Sequence, residues 1–536
     1  MARILDGISK LGVYPGEGME ARLSAGRAFS ATSAGEPLGD SRSVDFLSVP
    51  RSGLGTRTAR ASAINLAAGA ARYPLSIISV AVLARLLSPT DFGVYEVVGA
   101  FATLLATFSD FGLTAAIVHK ENLTQDEVSG LFWVSVGLGI GLCGILTISG
   151  PVLAHFYGDR RQAGLAALLG VSFLITSIRI QHAGLCVRQQ QFGKLAIADL
   201  AGLLTAFPIA IIAALRGWGP WTLSARDVAG PLVTAAALWI MVPWHPRLTW
   251  RWSNIRSLVS FGGHLTLSRW VGNIFMRADK MVLGLFVSAG VLGQYGRAFF
   301  IATLPCVVLS SAVTQPFISM LARVNSDDRA RAKELYLRFW QFTIAVPMFG
   351  GLLLAPFGRD VVSFLYGSQW TLAGNYLKLL SLAAAFYVAY AAAFNLAVVH
   401  GRMEALSKFA VSTIPVYLIC YLIGVRFGAP GMAVAYSVAM VTAGASAIIL
   451  STGWFGINTR QLVESSLTPG GVAVATAVVA VLLRSAASAL TASSLLAFSA
   501  SFGITVALYS LLLLRFCPSV IEDLTRSIQM ALHGEA

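Results

Sequence analysis

Charge is what this sequence has least of. Only 12% of its 536 residues are Asp, Glu, Lys or Arg, against 56% hydrophobic, where a soluble domain carries about 25% charged residues. A water-facing fold of this length needs far more polar surface, so that class is excluded. Cysteine is scarce as well. Cys143, Cys186, Cys306, Cys420 and Cys517 are scattered through apolar stretches without a CxxC or a pairable cluster, which leaves no disulfide frame and no metal site. There is no GxSxG, no HExxH, no P-loop and no carboxylate cluster facing a large loop, so hydrolytic and ATP-driven chemistry have no home and the chain reads as a non-enzyme. Acidic residues are the minority, 25 against 39 basic, for a net charge of +14. No interleaved basic and aromatic platform accompanies that excess, so nucleic acid is not the expected partner.

What the chain does have is apolar blocks near the span of a bilayer, roughly 20 residues each, and a mean hydropathy of +0.72. About fourteen such blocks are expected from a window of roughly 19 residues. The predicted fold is an all-α polytopic membrane protein. Residues 1–60 differ: Gly, Ser, Ala and Arg dominate and no apolar run reaches signal-peptide length, so a disordered cytoplasmic tail is expected. A start further in, at Met19, is the alternative. The tail carries 8 basic residues, the loops on its side 14 and the opposite loops 8, which places both termini in the cytoplasm.

An internal repeat organises the blocks. Leu83–Tyr95, LARLLSPTDFGVY, returns as Leu283–Tyr295, LGLFVSAGVLGQY. His155-Phe156-Tyr157-Gly158 returns as Phe364-Leu365-Tyr366-Gly367, and Gly219-Pro220-Trp221 as Ala429-Pro430-Gly431. Three matches in order at nearly one offset imply two halves of six helices, residues 61–243 and 257–451, followed by a pair over 468–516. Six is even, so the halves run parallel, related by an axis along the membrane normal.

Ionisable residues inside a bilayer are informative because each costs about 2.5–3.5 kcal/mol at a helix centre. Arg269, Asn273, Arg277 and Lys280 are spaced 4, 4 and 3 and share one helical face. Three cations there cost roughly 8–10 kcal/mol against lipid, and Asp279 offsets one of them. The first helix has an analogous face: Asn65, Gly69, Arg72, Ser76 and Ser79. The repeat offset brings Arg269 within a turn of Arg72, so the halves are expected to present arginines at similar depth around a cationic cavity. The alternative is structural, each Arg bonding helix carbonyls or a carboxylate; for Arg277 and Lys280 a local pair with Asp279 is an equal reading. Arg179 and His182, with Gln181, either line the cavity or finish a helix end. Asp110 caps, pairs or gates near the end of the second helix. Arg297 reads as an interfacial anchor, and Glu96 as the repeat equivalent of Gly296. A cationic cavity selects an anion, and Arg forks match phosphate oxygens bidentately.

The run Leu83–Tyr95, followed by Asp110-Phe111-Gly112-Leu113, resembles polysaccharide exporters of the MOP superfamily, the Wzx-like or lipopolysaccharide-biosynthesis flippases. Arg277-Ala278-Asp279-Lys280-Met281-Val282-Leu283-Gly284 resembles their seventh-helix pattern, with Lys280 where relatives often carry Arg. Leu365-Tyr366-Gly367-Ser368-Gln369-Trp370 resembles a loop of their second half. The resemblance covers roughly residues 60–515. It implies a V-shaped transporter in a bacterial inner membrane that moves undecaprenyl-pyrophosphate-linked oligosaccharide from the cytoplasmic to the periplasmic leaflet by alternating access. It implies lipid-linked oligosaccharide and bilayer lipid as partners, with a polymerase or export complex beside them. No cofactor is expected, and a coupling ion is left open. Four other readings remain. A lipid II flippase shares the fold and the basic cavity. A cation antiporter needs embedded carboxylates that the basic faces do not supply. A polysaccharide polymerase or ligase needs a long periplasmic loop that is not there. A scaffold has no use for buried arginines.

Overall fold

The computed structural model describes residues 72–120, 123–248, 277–304, 329–399, 403–454, 456–490 and 494–518, with Gly69, Ile255, Arg256, Val259 and Thr266 as isolated positions. All of these belong to one contact-connected unit, residues 46–536. Among the described residues there is no strand. In chain order the helices of the first half are α1 (72–86), α2 (Pro89–Ala106), α3 (Leu113–His119), α4 (Gln125–Tyr157), α5 (Arg161–Arg188), α6 (Phe192–Leu215) and α7 (Trp221–Met241). The second half holds α8 (Ala278–Gly284), α9 (289–304), α10 (Arg329–Thr343), α11 (Phe349–Tyr366), α12 (Thr371–Val399), α13 (Met403–Gly424) and α14 (Gly428–Trp454). A final pair follows, α15 (Thr459–Leu490) and α16 (Ser494–Phe516). α10 runs into α11 through one wide turn over Ile344–Met348.

Local chemistry sets these boundaries. Ser88 caps α2 by accepting from the Asp91 N–H while the Asp91 carboxylate accepts from the Ser88 N–H, and Pro89 occupies the first turn, where its missing donor costs nothing. Thr124 and Glu127 form the same reciprocal cap on α4. α4 ends at Gly158, φ 73°, and α11 at Gly367, φ 94°. These glycines were the second repeat match, and both hold a backbone that L-residues avoid.

Among the described residues, seven helical stretches are long and apolar enough to cross a membrane. Their outer faces carry large apolar side chains in the open, Ile148 at 76% and Ile240 at 84% exposure among them. That inversion of a soluble surface is what a lipid solvent requires. Inside, small residues let helices touch: Gly150 lies on Ala163, Gly202 on Gly230 and Thr234, Gly424 on Gly431 and Ala435, the packing that works where lipid is as apolar as the core. The protein is a multi-pass helical membrane protein.

The buried clusters divide unevenly. One joins the halves, from Val80 and Phe92 to Tyr295, Trp370 and Met440. A second runs over Leu113–Ile255 and takes in Val259 at the start of the second half. Two more involve only residues from Ala332 onward, one of them including Tyr509 and Leu513 of α16. Among the described residues, the largest apolar contact between halves is therefore the first of these clusters.

Candidate functional site: the clasp between halves and its charges

That end is built by the repeated hairpins. α2 and α9 cross backbone to backbone. A Cβ on Gly93 would collide with the Ala289 carbonyl, and a Cβ on Gly293 with the Pro89 carbonyl. The two contacts are reciprocal at an offset of 200 residues, which is the geometry of a pseudo-two-fold pair. Around this crossing each half caps the other's helix ends. Arg85 donates from Nη2 to the Phe364 carbonyl at 2.5 Å and from Nε to that of Leu365 at 3.2 Å, at the end of α11. In return Gln369 Nε2 and Trp370 Nε1 donate to the Ala84 carbonyl at 2.7 and 2.8 Å, at the end of α1. Tyr157 donates to the Met281 carbonyl at 2.9 Å. In the loop after α4, hydrogen bonds from Arg161 hold the Asp159 carboxyl below its ordinary range, and Arg161 lies 3.7 Å from Asp91.

A charge cluster locks the same face. Glu96 on α2, 7% exposed, receives Lys280 Nζ at 2.8 Å and the Arg297 guanidinium on its other oxygen. Arg297 also lies over the Phe92 ring at 4.6 Å, and Lys280 over Phe299 at 5.0 Å. Three charges and two rings thus tie α2 to α8 and α9. Arg297, expected as an interfacial anchor, is instead a buried partner of the other half, and Lys280 pairs with Glu96 rather than with Asp279. The clue in the sequence was that positions 96 and 297 fall on the two paired hairpins one residue out of register.

The remaining predicted site residues separate. Arg72 lies 3.5 Å from Asp199 of α6, with side chains 51% and 40% exposed; a pair that open is weak and exchangeable. Asp199 acts electrostatically on Arg179 too, whose Nε is buried without a partner. Two guanidiniums therefore share one carboxylate on the first half. Asp199 carried no signal in the helical spacing that found Arg72. Arg277 is exposed at the start of α8. Asp279 is fully buried and accepts from the Tyr295 hydroxyl at 2.8 Å.

His182 does not line a cavity. It is fully buried, stacked on Trp239 at 4.5 Å, with Nε2 3.2 Å from the Trp244 carbonyl; Gln181 donates to Ser135 Oγ at 2.8 Å. Asp110 caps α3, accepting from the Thr114 N–H and hydroxyl at 3.1 and 2.6 Å, beside Phe111 and Gly112 at φ 45° and 65°. Asn65, Arg269 and Asn273 lie outside the described residues. No group of three or more metal-ligating side chains occurs among the described residues.

The geometry defines a helical membrane protein in which the hairpins around Gly93 and Gly293 clasp each other. The chain belongs to the family of polysaccharide biosynthesis proteins, which matches residues 82–374. It is similar to the lipopolysaccharide biosynthesis protein WzxC of Escherichia coli K12, 23% identical over 416 residues, covering 76% of this chain and 83% of that one. It is also similar to the succinoglycan biosynthesis transport protein ExoT of Rhizobium meliloti, 26% identical over 312 residues, covering 58% of this chain and 63% of that one. The fold is that of the lipid II flippase MurJ in its inward closed conformation, with a TM-score of 0.68 at 14% identity, covering 85% of this chain and 98% of that one. The resemblance to the lipopolysaccharide-biosynthesis family is thereby borne out.

Proposed function

We propose that the chain is a flippase that carries an undecaprenyl-pyrophosphate-linked oligosaccharide from the cytoplasmic to the periplasmic leaflet of a bacterial inner membrane, by alternating access, for surface polysaccharide synthesis. The observation that carries this reading is the one-sided clasp. Among the described residues, the largest buried cluster shared by the halves lies where the Glu96 cluster and the hairpins meet. Such an arrangement opens toward one leaflet and reverses by breaking one set of contacts and making another. The family and the names of the relatives supply the polysaccharide setting.

Arg72, Arg269 and Arg179 are the anion-recognising residues in this reading. The weak Arg72–Asp199 pair suits it, because a pyrophosphate displaces an exposed carboxylate at little cost. The lipid tail remains in the bilayer, and polymerase or export proteins receive the product. The termini and the more basic loops face the cytoplasm, so the clasp faces the periplasm.

The test is export of surface polysaccharide in a strain that depends on this chain. Exchanging Arg72 or Arg269 for Ala abolishes export at unchanged membrane abundance, and wild-type export in both variants sinks the site assignment. Flipping in proteoliposomes across a panel of lipid-linked glycans, lipid II included, decides the cargo. Movement of lipid II alone returns the chain to the lipid II branch.

A further inference from the structure

α11, α12 and α15 bring three cations to one layer at the clasp end. Arg359 stands seven residues before the end of α11 at Tyr366, Lys378 seven residues after the start of α12 at Thr371, and Arg484 six residues before the end of α15 at Leu490. At 1.5 Å per residue each lies about 10 Å from that end. Close packing sets the layer. A Cβ on Gly374 of α12 would come within 2.7 Å of the Arg359 Cα, and one on Gly358 of α11 within 3.4 Å of Lys378 Cγ. Arg359 and Lys378 are thus neighbours because their helices touch, and not because two flexible tips happen to meet.

Only one of the three has a counter-charge. Asp360 on α11 accepts from Arg484 Nε at 2.8 Å and from Nη2 at 2.6 Å, one bond on each oxygen. That pair is neutral and fastens α15 to α11, while the remaining guanidinium nitrogen, Nη1, is covered and has no acceptor. Arg359 donates from Nε to the Asn375 amide oxygen at 2.6 Å, a partner without charge. Lys378 is half-buried with Arg359 and Arg484 within electrostatic reach, and among the described residues Asp360 is the only carboxylate that acts on it. Two cations therefore stand side by side with the local carboxylate already taken. Like charges held together cost free energy unless an anion joins them. Their place says which anion. Leu482 on α15, Phe364 on α11 and Leu372 on α12 are exposed and apolar, whereas Ser485 and Ser488, the next turn of α15, are exposed and polar. The layer lies where lipid-facing surface gives way to polar surface, at the depth of lipid headgroups.

We propose that Arg359 and Lys378, backed by the Arg484–Asp360 pair, bind the phosphate of an anionic phospholipid in the leaflet at the clasp end. The Arg359 guanidinium, exposed and bonded only through Nε, has its two terminal nitrogens for two phosphate oxygens. Lys378 adds a point charge on a stem packed against Gly358. Arg484 is a positioning residue: its fork is spent on Asp360, and its field holds the phosphate without a bond to it. The acyl chains lie on the exposed apolar face of α15 at Val478 and Leu482, so one lipid bridges α11 and α12 to the final helix pair. None of these residues belongs to the anion-recognising set of the transport reading, and the test needs no cargo.

The experiment uses the full chain in phosphatidylcholine nanodiscs, with a fluorophore on Ser485→Cys in a background whose five native cysteines are replaced. Quenching is titrated with brominated phosphatidylglycerol and, separately, with brominated phosphatidylcholine. The expected result is a preference of about tenfold for phosphatidylglycerol, the contribution of two partly exposed cations at a lipid surface. Lys378→Gln, which has no bond within the protein to lose, lowers that preference about threefold. Arg359→Gln/Lys378→Gln removes it, and Arg216→Gln/Arg426→Gln, which takes the same charge from exposed turns after α6 and α13, leaves it in place. Equal quenching by the two lipids in the wild type, or an unchanged preference in Arg359→Gln/Lys378→Gln, overturns the proposal. So does an equal loss in Arg216→Gln/Arg426→Gln, which would make the preference a property of net surface charge. A preference abolished by millimolar inorganic phosphate at constant ionic strength overturns the lipid assignment in favour of a free anion.

Discussion

Exchanging Glu96 for Gln is the most direct test of the clasp. In the closed face the Glu96 carboxylate lies between Lys280 and Arg297, with side chains 7%, 16% and 11% exposed. The amide of Gln still accepts one hydrogen bond, but it leaves the Lys280 ammonium and the Arg297 guanidinium facing each other without a counter-charge. Breaking a buried ion pair in this way costs about 3–5 kcal/mol. The partial exposure of Lys280 and the remaining hydrogen bond argue for the lower end, about 3 kcal/mol. That cost falls on the closed state alone, because Glu96 belongs to one half and both cations to the other. Once the halves part, water solvates all three. At 1.36 kcal/mol per decade, the ratio of closed to open should fall by roughly a hundredfold.

The assay is the rate of disulfide formation between Thr90→Cys and Gly290→Cys, in a background with the five native cysteines replaced, under mild oxidation. Melting temperature is measured alongside, to separate an open face from a misfolded chain. Slower cross-linking at an unchanged melting temperature is the expected outcome. Wild-type cross-linking in Glu96→Gln would refute the claim that these charges hold the face, and would leave the work to the Arg85, Gln369 and Trp370 caps.

Two further outcomes follow from the same geometry. Gly93→Ala places a Cβ against the Ala289 backbone, which no rotamer relieves, so closure should fail; transport and the Thr90–Gly290 cross-link are lost together, whereas Gly99→Ala, facing only the Tyr95 ring at 3.3 Å, retains both. His182→Ala removes a ring packed between Trp239 and Trp244 and lowers stability by about 2–4 kcal/mol, as large-to-small core changes do; flipping per folded molecule should be unchanged, and a specific transport defect would restore His182 to the cavity.

The sequence disclosed the frame more readily than the contacts. The repeat was legible because its matches sit where backbone geometry restricts the residue: Gly158 and Gly367 at positive φ, and Gly93 and Gly293 where two backbones touch. Helical spacing proposed polar faces leading into α1 and α8, of which Asn65, Arg269 and Asn273 lie outside the described residues. It did not find their partners, because spacing gives the face of one helix and not the rotation of its neighbour. Lys280 and Arg297 meet Glu96 about 200 residues away in sequence. His182 and Gln181 looked like cavity residues for the same reason: their partners, Trp244 and Ser135, lie 62 and 46 residues away. Asp110 was readable as a cap because that bond is local.

The repeat also explains where the functional charges stand. Positions near a pseudo-two-fold axis meet their own equivalents, so two identical charges there would repel. Glu96 shows this: its carboxylate fills the space a Cβ on Gly296 would take, 2.6 Å from Cδ. A second Glu at 296 would have no room and the wrong sign. The neighbouring pairs diverge in the same way at an offset of 200: Ser79 with Asp279, Val80 with Lys280, Val97 with Arg297. Where packing alone is at stake the halves agree. Tyr95 and Tyr295 are both kept, and each gives its hydroxyl to an aspartate, Asp227 in the first half and Asp279 in the second. In the first half that aspartate is neutralised by Arg226 at 2.8 Å. In the second the adjacent cation is drawn across to Glu96 instead. The symmetric part of the molecule thus lets the halves fit, and its broken symmetry gives the single carboxylate of Glu96 both cations of the clasp.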